Sequence, residues 1–246
     1  MTFQPKDRLI FALDVPDKRQ ALDLVQLLEG EVGLFKLGLE LYLAEGPGLL
    51  KELVNIIDPE RIFLDLKLYD IPATVLGPIR SILHGLALFT LPSDLGPAAL
   101  KSIVSNTAAA FRVLAVTVLT STTGDDLKAL GYERRYWENP ARLVVDRAVM
   151  AKEAGCAGVV CSGREVKAVK EACGPDFLAV CPGIRPEWAA VPGDDQKRIV
   201  TPYEAIKNGA DYIVVGRPIR TYPESQGGPV AAARRVVAEV AAASEP

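Results

Sequence analysis

The sequence predicts an α/β protein, a (β/α)8 TIM barrel formed as one domain over residues 1–246, and three observations predict it. Short apolar runs alternate with amphipathic stretches through eight repeats. The apolar runs are nearly continuous, as at residues 213–215, which suits strands of a parallel sheet buried on both faces. A length of 246 residues accommodates eight strand-helix units closed into one barrel. No linker, composition break or low-complexity segment divides the chain, and no GxGxxG follows the first strand, which weakens the dinucleotide-binding, doubly wound alternative.

The first strand is predicted at residues 8–14 (RLIFALD), followed by a helix at 18–28. The second strand is predicted at 34–38 (LFKLG) and its helix at 40–54. The third spans 61–67 (RIFLDLK), with a helix at 74–83. The fourth, weaker in signal, spans 86–91 and precedes a helix at 97–106. The fifth, at 111–119 (FRVLAVTVL), is rich in β-branched residues, and its helix is predicted at 142–153. The sixth strand is 158–161 (GVVC) with a helix at 165–173, and the seventh is 177–181 (FLAVC) with a short helix at 202–207. The eighth is 211–215 (DYIVV), and a last helix is predicted at 228–241.

Composition narrows the function. The formal net charge is -3, so no global field favours nucleic acid or an anionic membrane, and an anionic ligand needs a local site. No apolar run is long enough to span a bilayer, and the polar start at residues 1–8, with Pro5, does not read as a signal peptide. The four cysteines, Cys156, Cys161, Cys173 and Cys181, form no CxxC pair and suggest no zinc site, so a reducing, cytoplasmic compartment is expected. Cys161 and Cys181 read as small core residues. A lone histidine, His84, near the end of a helical pattern, reads as a helix-end or surface residue and leaves no basis for a Ser-His-Asp or multi-histidine metal mechanism.

The polar residues gather at the C-terminal ends of the strands, which converge on one mouth in a barrel. Asp14, Lys36, Asp65, Lys67, Thr120, Ser121, Arg185, Gly216 and Arg217 all stand at or just beyond such ends. A single aspartate there can simply cap the next helix; charges of both signs at most ends ask for more. In Asp65-Leu66-Lys67-Leu68-Tyr69-Asp70, strand alternation places Asp65 and Lys67 on the inward face and the leucines outward. Asp70 can fold back over Lys67, and Lys36 comes from the adjacent strand, giving an array Lys36, Asp65, Lys67, Asp70. The pattern alone also admits a purely structural ion-pair network. Flanking carboxylates favour the protonated form of Lys67, and a protonated lysine in a water-poor site is suited to protonating a carbanion.

The end of the chain offers an anion site. Gly216 permits close backbone approach, its N–H can meet a phosphate oxygen, and Arg217 supplies a fixed fork of donors. Pro182-Gly183-Ile184-Arg185-Pro186 brings a second arginine from the neighbouring strand end. The polar stretch at 193–198 is long enough to form a loop over the mouth, and also reads as an ordinary solvated loop.

Taken together, FALD, FKLG, FLDLKLYDIPATV, VTVLTS, GVVCS, PGIRP, DDQKRIVTP and VVGRPI resemble, in order and over about residues 9–219, the bacterial-type branch of the orotidine 5'-phosphate decarboxylase family. DxKxxD alone is shared with sugar-phosphate decarboxylases and synthases on related barrels; DxKxxDIPxT joined to PGIRP and DQKR is specific. The resemblance implies decarboxylation of orotidine 5'-phosphate to UMP and CO2, without cofactor or metal. It implies that Lys67 protonates C6 of the pyrimidine, flanked by Asp65 and Asp70, with Asp70 near the substrate carboxylate. Lys36 completes the charge network and, with Asp14, contacts the ribose. Thr120 and Ser121 face the pyrimidine, and Arg185, Gln196, Gly216 and Arg217 hold the phosphate and close the loop. It further implies a homodimer in which Asp70 and Thr74 reach the partner's site.

Tyr69 and Ala73 stand where the family usually has His and Asn, and Thr90-Leu91-Pro92-Ser93-Asp94 stands where it usually has a His-Ala-Ser-Gly-like segment. The runner-up reading is a magnesium-dependent sugar-phosphate decarboxylase or synthase of the same barrel group. A catalytically silent nucleotide-binding protein is the third, and the intact set of Lys36, Asp65, Lys67 and Asp70 argues against it.

Overall fold

The computed structural model describes residues 4–81, 86–107, 111–189 and 199–244. Eight parallel strands close into a barrel in chain order. They are β1 (Leu9–Ala12), β2 (Leu34–Gly38), β3 (Ile62–Asp65), β4 (Leu88–Pro92), β5 (Arg112–Val116), β6 (Gly158–Val160), β7 (Leu178–Cys181) and β8 (Tyr212–Val215). Closure is made by β1 against β8, with Ile10 opposite Val214 and Phe11 opposite Val215.

Side-chain alternation divides the apolar residues into two layers. Ile10, Leu34, Phe63, Leu88, Leu114 and Val180 fill the barrel interior. Their strand neighbours, such as Phe11, Phe35, Leu64 and Phe89, pack outward beneath the helices. Both faces are therefore dry, which is why the strands read as continuous apolar runs. Among the described residues no helix is long and apolar enough to cross a membrane.

Local chemistry sets the helix ends. Asp17 caps the helix Lys18–Leu28 by accepting the Gln20 N–H at 2.9 Å. Thr201 and Glu204 form a reciprocal capping box at the start of Pro202–Lys207. The helix predicted at 40–54 is two helices, Leu39–Glu45 and Gly48–Leu53, because Gly46 adopts a φ of +69° just before Pro47. Two helices after β5, Gly124–Ala129 and Arg134–Trp137, were not expected. The first begins with a capping box between Thr123 and Asp126. The helix predicted at 74–83 is described as Pro72–Ser81, and its last two expected residues, with His84, lie outside the described residues.

Several strands end earlier than their apolar runs. β3 stops at Asp65 because Lys67 turns into the left-handed region, at a φ of +50°. β5 stops at Val116, and a turn follows in which the Thr122 N–H donates to the Leu119 carbonyl at 2.9 Å. These early exits turn the last polar residues of each run into the rim of the mouth.

The β6–β7 seam depends on a missing side chain. Gly158 pairs with Leu178, and a Cβ at Gly158 would lie 2.3 Å from the Leu178 carbonyl oxygen. Gly158→Ala is therefore expected to cost about 1–3 kcal/mol by overpacking. In a thermal melt that lowers Tm by roughly 2–4 °C per kcal/mol. An unchanged Tm would contradict this register.

Candidate active site

The C-terminal ends of the strands surround a cavity of about 630 Å³. Its wall includes Asp14, Lys36, Asp65, Lys67, Thr120, Ser121, Arg185, Gly216 and Arg217, nine of the residues singled out from the sequence. Phe63, Val116, Val160 and Val214 supply an apolar floor.

One side of the mouth is a chain of alternating charges. Lys36 Nζ lies 3.0 Å from Asp14 Oδ1 and 3.7 Å from Asp65 Oδ2. Lys67 Nζ lies 2.7 Å from Asp65 Oδ1. Side-chain exposure is 11% for Lys36 and 13% for Asp65, against 31% for Lys67 and 50% for Asp14. The array is thus sealed at its centre and open at its ends. Burial works to raise the Asp65 pKa, but Lys36 and Lys67, with hydrogen bonds from Lys67 and Thr90, outweigh it and hold the carboxyl below its ordinary value. Gly38 leaves the space the array needs, since a Cβ there would lie 2.9 Å from Lys36 Nζ.

Lys67 reaches Asp65 by a different route from strand alternation. β3 has already ended, and the left-handed backbone at Lys67 brings its side chain back across the mouth. A non-glycine residue in that region costs about 1–3 kcal/mol and persists only where its surroundings enforce it. Thr90 on β4 is part of that enforcement. Its hydroxyl accepts the Lys67 backbone N–H at 3.1 Å and donates to Asp65 Oδ1 at 2.9 Å. Thr90 is fully buried. It was not anticipated as a site residue, although a hydroxyl on the inward face of a strand is the signal that finds it.

Asp70 does not join the array within one chain. It is exposed, its Oδ1 accepts the Ile71 N–H at 2.7 Å, and among the described residues no bond joins it to Lys67. The loop that carries it turns outward into the helix Pro72–Ser81, so the expected fold-back over Lys67 is absent. Asp14 occupies the fourth place in the array instead. Thr74, on that helix, is likewise exposed and stands outside the cavity wall. Gln196, and the stretch 193–198 with it, lies outside the described residues.

The β7–β8 side of the mouth, which adjoins β1 where the barrel closes, is cationic. Arg185, Arg217 and Arg220 all line it beside Gly216. Arg220 and Glu40, also in the wall, were not singled out from the sequence. Nor was Arg147, which donates to the Thr117 carbonyl and, at 2.6 Å, to the Tyr132 hydroxyl, pinning the chain just before Thr120 and Ser121. Among the described residues no group of three or more His, Cys, Asp or Glu side chains is gathered as a metal ligand set. The mouth therefore combines an accessible ammonium held by a buried carboxylate with a cationic end, an arrangement suited to protonating a carbanion on an anionic substrate.

Comparison with known proteins agrees in sequence and fold. The family model described as Orotidine 5'-phosphate decarboxylase / HUMPS family matches residues 7–236. Orotidine 5'-phosphate decarboxylase of Desulfosudis oleivorans is 46% identical over 233 residues, covering 94% of this chain and 94% of that protein. The enzyme of the same name from Moorella thermoacetica is 42% identical, covering 96% of this chain and 92% of that protein. The crystal structure of orotidine 5'-phosphate decarboxylase from Lactobacillus acidophilus superposes with a TM-score of 0.77 at 34% identity, covering 94% of this chain and 98% of that one.

The lowered Asp65 pKa has a consequence for stability. A carboxyl whose folded value lies below its ordinary 3.8 adds stability above that pH and loses it as pH falls through the folded value. In urea unfolding, the gap between the wild type and Asp65→Asn is expected to be widest well above pH 3.8 and to narrow progressively as pH falls below it. A gap independent of pH would show that Asp65 is not held as a carboxylate by its neighbours.

Proposed function

The chain belongs to the Orotidine 5'-phosphate decarboxylase / HUMPS family, and from that premise we propose that its barrel mouth converts orotidine 5'-phosphate to UMP and CO2, with Lys67 as the acid that protonates C6. The observation that carries this reading is the Lys67 ammonium, held 2.7 Å from a buried carboxylate at the edge of a substrate-sized cavity.

The bond from C6 to the substrate carboxylate breaks, CO2 leaves, and the electron pair remains on C6. No adjacent carbonyl takes up that pair directly. A pre-placed ammonium stabilises the developing charge and then transfers its proton to C6, leaving a neutral lysine that solvent reprotonates. Asp65 and Thr90 fix where the ammonium stands, so little reorganisation accompanies the step. In this reading the reaction needs no cofactor.

The remaining residues divide by position. Lys36 and Asp14 face the ribose, and Thr120 and Ser121 face the pyrimidine. Arg185, Gly216 and Arg217, with Gln196, hold the phosphate, so that binding energy remote from C6 serves the chemical step. The relatives named above carry the decarboxylase name, and the magnesium-dependent sugar-phosphate reading is not favoured.

Asp70 and Thr74 act across a homodimer in this reading, each reaching the mouth of the second copy, where Asp70 faces the substrate carboxylate. Their exposure in the single chain supports it, as does a second cavity of about 330 Å³ beside Lys67. Its rim carries Tyr69, Leu119 and Leu130, large side chains that are 64%, 52% and 71% exposed. The whole chain serves as one catalytic domain. The four cysteines are buried free thiols, which supports a reducing, cytoplasmic setting.

Lys67→Ala removes the acid and leaves the phosphate end intact. Turnover is expected to fall by at least about 10²- to 10⁴-fold. UMP binding, measured by calorimetry, is expected to persist. Wild-type turnover in that variant would remove Lys67 from the mechanism.

A further inference from the structure

The phosphate end of the mouth holds one more cation than the motifs assign. Arg220 lies in the short helix Arg217–Arg220, whose Ile219 and Arg220 N–H groups both donate to the Gly216 carbonyl at 3.0 Å. Pro218 and Ile219 are buried on the inner side of that turn. Residues three apart share a helix face, so Arg217 and Arg220 rise together on the other side, and both line the cavity.

The environment of Arg220 differs from that of its neighbours. It is partly buried, yet among the described residues its guanidinium has no hydrogen bond, ion pair or ring contact. Arg185 is tied down, with one side-chain donor on the Ile184 carbonyl at 2.9 Å and its backbone N–H on the Val200 carbonyl at 2.9 Å. A guanidinium carries five donors in a fixed fork, and one that lines the cavity with no protein acceptor among the described residues can offer that fork to a ligand. An oxyanion with several acceptor oxygens matches that fork, and a phosphate monoester dianion does so with two negative charges. The net charge of -3 supplies no general attraction for such a ligand, so local cations decide its affinity.

On the reading that this mouth takes orotidine 5'-phosphate, we infer that Arg220 is an additional phosphate ligand that selects phosphorylated nucleosides over their unphosphorylated counterparts. It acts beside Arg217 and Arg185 on the non-reacting end of the substrate. Its contribution therefore falls on binding and on KM more than on the proton transfer at C6.

The test compares UMP, uridine and inorganic phosphate as ligands of the wild type, R220Q and R220K, by calorimetry. For R220Q, the Kd of UMP is expected to rise about 10-fold or more, with a parallel loss for inorganic phosphate and no change for uridine. R220K keeps the charge without the fork and is expected to fall between. The KM for orotidine 5'-phosphate is expected to rise in R220Q by more than kcat falls. An unchanged UMP affinity in R220Q would overturn the inference while leaving the decarboxylase reading in place. An equal loss for UMP and uridine would also overturn it, because the substitution would then have disturbed the mouth in general. A wild type that binds neither UMP nor orotidine 5'-phosphate would end the decarboxylase reading and this inference with it.

Discussion

A carboxylate almost removed from water must have cations against it, and the mouth of this barrel is organised around one such group. Asp65 lies between Lys36, at 3.7 Å, and Lys67, at 2.7 Å. Any one of the three left alone in that place would be strongly disfavoured, because a buried charge without a partner costs far more than its pair returns. The constraint propagates outward. Lys36 is buried and leans on Asp14; Gly38 has no side chain because Lys36 Nζ occupies the room. Lys67 leaves the strand in an unfavourable backbone region, and Thr90 holds both its N–H and the Asp65 carboxylate. The arrangement positions an ammonium without neutralising its access to the cavity, since Lys67 retains the exposure that Lys36 lacks.

The mouth is polarised as a result. The β1–β3 side carries paired charges whose net field is small and whose geometry is fixed. The β7–β8 side carries three arginines that face the cavity. A substrate with an anion at one end and a reacting ring at the other is oriented by that asymmetry before chemistry begins. In the proposed reading the apolar floor beneath, including Phe63 and Val214, would keep the ring away from water and strengthen the charge interactions above it. In the single chain the mouth is open beside Leu119 and Leu130, where a second copy carrying Asp70 and Thr74 completes it in the proposed dimer.

Much of this was legible in the sequence because barrel strands are apolar on both faces and so stand out as runs. The helices at Lys18–Leu28, Pro97–Asn106 and Pro202–Lys207 lie where their patterns put them, each marked by an aspartate, threonine or proline at its start. Strand ends were less legible. An apolar run continues past the last ladder bond, so β3 and β5 read as longer than they are. The meeting of Asp65 and Lys67 was expected from alternation and arises from a left-handed turn, which no pattern of residue types announces at a lysine. Asp70 was expected over Lys67 within the chain, because spacing along the chain does not show which way a loop leaves a barrel. Thr90 and Arg147 are not legible because each bonds to segments distant in the chain, and Arg220 because only the short helix after Gly216 brings it to the cavity wall.

The most direct measurement is the loss of orotate absorbance when the purified protein is mixed with orotidine 5'-phosphate in the presence of EDTA. Rapid conversion to UMP, indifferent to the chelator, is the expected result. Conversion that ceases with EDTA, or no conversion and no UMP binding at all, would contradict a barrel mouth that decarboxylates through its own protonated lysine.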